Sequence, residues 1–97
     1  MTMIFVDQTV TDDPMGFSVT VREGNGETLH EVTMGQGTYQ RLTKGHVSPA
    51  ACIEAAFSFL LEREPKESIL SRFDITTITT YFPNFEKDFS RYITGKA

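Results

Sequence analysis

The sequence predicts an α+β fold: a small antiparallel sheet of two or three strands packed on a central buried helix, with two or three shorter helices behind it. Three observations predict it. Residues 17–34 alternate apolar and polar around an Asn25-Gly26 turn signal. Residues 50–61 form an apolar run opened by Ser48-Pro49. Beyond Pro65, apolar residues recur at helical spacing. With 97 residues, 39% hydrophobic and 23% charged, the chain fits one domain, 1–97. Within it, 1–16 reads as an N-terminal strand and loop, 17–35 as a β-hairpin and 48–94 as the helical part.

Met3 to Val6 is an apolar run of strand length, and Asp12-Asp13-Pro14-Met15-Gly16 is a loop. Phe17 to Arg22 then alternates with period two. A two-residue Asn25-Gly26 turn pairs Arg22 with Leu29, Val19 with Val32 and Phe17 with Met34. One face of the hairpin then carries Phe17, Val19, Val21, His30, Val32 and Met34, and the other Ser18, Thr20, Arg22, Leu29, Glu31 and Thr33. His30 is the one polar residue on the apolar face. Gly35-Gln36-Gly37 ends the strand, and Thr38 to Thr43 reads as a helical turn in preference to a third strand.

Ser48 is a good N-cap, and Pro49 suits the first helical position, where its missing N–H costs nothing. The helix should run to about Arg63 and stop before Pro65. Glu54, Ser58 and Glu62, four apart, form its narrow polar stripe. The rest is apolar, as befits a helix buried on most sides. A short helix from Pro65 carrying Ile69, Leu70 and Phe73 is expected next, with Asp74 as the cap of another over Ile75 to Phe82. That last stretch is rich in β-branched residues, but Ile75, Ile78 and Phe82 keep helical spacing, and period outweighs propensity. Phe85, Phe89, Tyr92 and Ile93 mark a final amphipathic helix, ahead of a frayed Gly95-Lys96-Ala97.

The segment from Phe57 to Leu70, FSFLLEREPKESIL, together with Phe73-Asp74 and Tyr81-Phe82-Pro83, resembles a pattern shared by a group of short bacterial proteins, FxFLLxREPxxSIL followed by FD and YFP. The likeness runs from Thr28 onward. It implies a bacterial origin; no activity attaches to that group, so it implies no catalytic residue.

Composition narrows the function. Cys52 is the one cysteine, so no internal disulfide is expected. The N-terminus lacks the basic region of a signal peptide, and no apolar run is long enough to cross a bilayer, so a cytoplasmic protein is expected. Residues 1–35 hold six acids against Arg22, and residues 36–97 hold seven acids against eight bases, leaving an acidic sheet half and a near-neutral helical half. That balance argues against nucleic acid as a partner, although Arg22, Arg41 and Lys44 could form a minor basic surface of an antitoxin-like regulator.

Cys52 near a helix start with His46 just before it could form a nucleophilic pair in a small enzyme. Against this, cysteine on an apolar helix ordinarily packs as a small hydrophobe. His30, His46 and Cys52 lack zinc-type spacing, so no metal or other cofactor is expected. Gly35-Gln36-Gly37 lacks the third glycine of a dinucleotide loop, and the neighbouring Asp12 and Asp13 side chains diverge. The most charged segment, Arg63 to Glu67, reads either as a helix corner with its own ion pairs or as a docking corner. The reading that results is a non-enzymatic interaction or regulatory module, with Arg41, Lys44, Arg63 and Lys66 as candidate interaction residues. Its expected partner is another protein or a second copy of the chain.

Overall fold

A computed structural model describes residues 2–93. Three strands follow one another, β1 (Thr2–Val10), β2 (Met15–Glu23) and β3 (Gly26–Met34), then the helices α1 (Gln36–Thr43) and α2 (Pro49–Leu61). A 3₁₀ turn (Lys66–Ser68), a short strand β4 (Arg72–Asp74) and the helices α3 (Thr77–Tyr81) and α4 (Phe85–Ile93) complete the described residues. The sheet order is β1-β2-β3-β4; β1–β2 and β2–β3 are antiparallel, and β3–β4 is parallel. The α+β class is as expected from the sequence, with one more strand than anticipated.

The hairpin faces are those expected, but the register differs by two residues. Glu23 pairs with Gly26, Val19 with His30 and Phe17 with Val32. The turn is Gly24-Asn25, and Gly24 takes a φ of +60° while Asn25 does not have a positive φ. Positive φ at the first central residue alone is the type II′ pattern, which glycine there favours. Gly24-Asn25-Gly26 therefore offers two hairpin turns, and the chain uses the first. A two-residue slip leaves every side chain on its face, so Phe17, Val19, Val21, His30, Val32 and Met34 are all buried. Gly26 is left with another role: a β-carbon there would lie 3.1 Å from Lys66 Nζ.

Ser48 caps α2 as expected, its Oγ accepting from the Ala51 N–H at 3.1 Å, with Pro49 at the first position. The helix ends at Leu61, two residues short of the expected Arg63. Cys52, Ile53, Ala55, Ala56, Phe57, Phe59 and Leu60 are buried, while Glu54 and Glu62 stay exposed. It packs on β1 on one side and on α4 on the other, so it is the central element the sequence indicated.

The segment after Pro65 departs from expectation. Instead of a helix through Phe73, only Lys66–Ser68 coils, and Phe73 lies in β4 beside Val32. Asp74 does not cap a helix directly. Its Oδ1 accepts from Thr33 Oγ1 at 2.6 Å across the strands, and its Oδ2 accepts from the Thr76 N–H at 3.0 Å and the Thr76 hydroxyl at 2.6 Å. Ile75 to Phe82 is helical as its spacing indicated, but only over Thr77–Tyr81. Residues 38–43 are helical, within the longer α1. The frayed end expected at Gly95–Ala97 lies outside the described residues.

Phe59 is a hub of the helical layer. Its ring meets Phe85 at 4.9 Å, Phe82 at 5.8 Å and Tyr92 at 5.8 Å, and the Arg63 guanidinium lies 3.7 Å from its centroid. These edge-to-face contacts add to the area the rings bury.

Candidate functional site

The chemistry-bearing residues singled out in the sequence do not converge. Cys52 is fully buried, with its Sγ 3.6 Å from Met34 Sδ. Burial pushes its thiol up to about 12, so little thiolate exists at neutral pH. His46 is exposed, in the turn before α2.

His30 is buried against the Phe57 ring, 5.3 Å between centroids. Its Nδ1 donates to the Leu70 carbonyl at 2.7 Å, which fixes the tautomer, because a carbonyl can only accept. Its Nε2 lies 2.8 Å from Thr28 Oγ1. Both nitrogens are thus occupied within the chain. Among the described residues, no three His, Cys, Asp or Glu side chains are grouped to hold a metal ion. No helix among them is long and apolar enough to cross a membrane.

The candidate interaction residues are engaged in different places. Arg41 on α1 grips Glu86 of α4 at 3.2 and 2.8 Å. This contact raises the arginine further above its ordinary value and holds the Glu86 carboxyl below the usual carboxylate range. Lys44 takes a left-handed conformation, φ 54°, and ends α1 with its N–H on the Gln40 carbonyl. Arg63 lies on Phe59 and donates to the Phe59 carbonyl at 3.0 Å. It also lies 3.8 Å from Glu62 and 3.9 Å from Asp88. Lys66 is buried, with Nζ 2.8 Å from Glu67 and 3.7 Å from Glu23 at the end of the hairpin. The hydrogen bond to Glu67 raises the Lys66 ammonium and lowers its partner carboxyl. Arg22, also considered as a basic contact, pairs with Glu27 at 3.3 Å.

What the fold leaves open is the outer face of the sheet. Ile4 and Val6 of β1 turn inward against the core. Met3 and Phe5, by strand alternation, turn outward. The register sets Phe5 beside Thr20 and Thr20 beside Leu29. Met3, Phe5 and Leu29 are 45%, 44% and 63% exposed. Arg22 lies over the Phe5 ring at 5.4 Å; the register sets Arg22 and Glu27 in line with Met3 on one side of Phe5 and Leu29, and Asp7 and Glu31 in line with Ser18 on the other. The run Met3-Ile4-Phe5-Val6, apolar without alternation, carried the signal for this second apolar face.

A second opening is a cleft of about 210 Å³ between the end of α2, the 65–74 segment and α3, with Leu60, Ile69, Leu70, Phe73, Ile78 and Tyr81 among its walls and Glu64 as its one charged residue. It is smaller than a typical small-molecule site. No family model, no curated protein and no solved structure matches the chain.

Proposed function

We propose that this chain is a non-enzymatic protein–protein interaction module, working in the bacterial cytoplasm, and that its contact surface is the outer face of the β1–β2–β3 sheet. The observation that carries the reading is the exposed apolar side chains of the outer face, Met3 and Phe5 on β1 and Leu29 across Thr20 on β3, with charged residues beside them. Apolar side chains held on a strand scaffold with a polar rim suit recognition of another protein. The buried thiol of Cys52 and the fully used ring of His30 agree with a role other than catalysis. Bacterial origin rests on the resemblance of residues 57–83, and the cytoplasm on the unpaired, buried cysteine.

The test compares complexes recovered from the native host by the unmodified chain, by Leu29→Glu and by Lys87→Glu. The reading expects a partner on this face, another protein or a second copy, that is lost with Leu29→Glu and retained with Lys87→Glu. A chain with no partner that depends on Leu29 would sink it.

A further inference from the structure

We infer that the free edge of β1 pairs antiparallel with β1 of a second copy, about a two-fold axis at Phe5, joining two four-stranded sheets into one. The inference goes beyond the interaction reading above, because edge pairing does not involve Leu29, which lies two strands inward. β1 closes one end of the sheet order, so one row of its backbone N–H and C=O groups has no strand beside it among the described residues. Edges of this kind are ordinarily guarded by short length, Pro, Lys or other charges. The opposite edge is guarded: β4 has three residues, of which Arg72 and Asp74 are charged. β1 has nine residues, no Pro and no Lys, and Asp7 is its one charge.

The longest regular pairing sets the register. The pairing of β1 with β2 becomes irregular between Gln8 and Val10, so the regular stretch is Thr2 to Gln8, and its middle residue is Phe5. An axis there sets Phe5 opposite Phe5, Ile4 opposite Val6, and Thr2 opposite Gln8 of the second copy. Apolar meets apolar on both faces, and polar meets polar at the ends. Met3 meets Asp7, the one mismatch. An axis at Val6 instead sets Ile4 against Gln8 and Phe5 against Asp7. An axis at Asp7 sets two carboxylates face to face, which is destabilising. With the axis at Phe5 the two Asp7 residues stand four positions apart, about 14 Å along the strands, beyond the screening length of roughly 8 Å at physiological salt. Each copy covers the other's half-exposed Phe5, and main-chain hydrogen bonds supply the remaining attraction.

The experiment uses the full chain. Light scattering across a concentration series should show the mass rising from 10.9 kDa toward twice that value. Register is read by cross-linking single-cysteine variants in a Cys52→Ala background. Directly opposed residues in antiparallel strands lie about 4.5–5.5 Å apart at Cα, within disulfide range. Phe5→Cys should oxidise rapidly to a dimer, while Leu29→Cys, two strands inward on the same face, should not. Because losing Phe5 can itself weaken the pair, a mixture of Met3→Cys and Asp7→Cys is the second measurement. The mixture should cross-link about tenfold faster than either variant alone. A mass of one chain at every concentration overturns the inference, and so does cross-linking that does not favour these pairs. A monomer that binds a different protein through Leu29 overturns self-pairing but leaves the interaction reading standing. A monomer with no Leu29-dependent partner removes both.

Discussion

The imidazole of His30 spends both nitrogens on its own chain, and that makes it a structural residue with a measurable worth. His30→Ala removes the donor to the Leu70 carbonyl and the ring against Phe57. Loss of about 2–3 kcal/mol is expected in denaturant unfolding. Cys52 should behave as its thiol value of about 12 implies: a thiol reagent at pH 8 labels it only after denaturation. Thr79 presents the opposite case, a buried Oγ1 with no hydrogen-bond partner among the described residues. Thr79→Val removes that cost at nearly equal volume and should raise stability by about 1 kcal/mol. Asp74 carries the pH dependence. Burial tends to raise its carboxyl, but the hydrogen bonds from Thr33 and Thr76 outweigh burial and hold it below the usual range. A carboxyl lowered in the folded state stabilises the fold above its unfolded value of about 3.9, and that stabilisation is lost as pH falls through the lower folded value. Asp74→Asn should therefore unfold at lower denaturant than the unmodified chain at pH 7, with the gap closing toward pH 2.

At the scale of elements, the hairpin turn and the cap of α2 are held by single residues. Gly24→Ala places a β-carbon at φ +60° and should cost about 1 kcal/mol, whereas Ser48→Ala should cost about 1 kcal/mol through its lost cap. These two elements also mark what was legible in the sequence. Ser48-Pro49 has a local meaning that packing does not alter, and period two assigned both hairpin faces. The turn sits one residue earlier than Asn25-Gly26 because Gly24-Asn25-Gly26 satisfies two turn types, and alternation is blind to a two-residue slip. β4 leaves no trace in the sequence for a different reason. Its three residues are too short for a period, and they become a strand only because β3 presents Glu31, Val32 and Thr33 to them. The outer apolar row was half visible: Leu29 was placed on the outer face, but Met3 and Phe5 join it only once β1 is paired with β2. The charged corner at Arg63–Glu67 keeps an ion pair of its own, Lys66 with Glu67, and adds contacts to Asp88 and Glu23, partners too distant in sequence to be foreseen.

For the whole molecule, Phe59 joins α2 to α4 and to the segment after α3. Phe59→Ala should cost about 3–5 kcal/mol, a large share of the 5–15 kcal/mol typical of a small domain. The outer sheet face should behave differently: Leu29→Lys should leave stability within about 0.5 kcal/mol while abolishing any association through that face. The parallel strand β4 has a bearing on the order of folding. β1, β2 and β3 are joined by tight connections and can pair while the rest of the chain is still loose. β4 reaches β3 only across some forty residues, Glu31 to Arg72, and must close that long loop to gain three pairs. It should therefore dock after the rate-limiting step. Thr33→Ala, which cuts the bridge to Asp74, should speed unfolding while leaving the folding rate nearly unchanged. The end of the chain would then act as a late latch on a meander already formed.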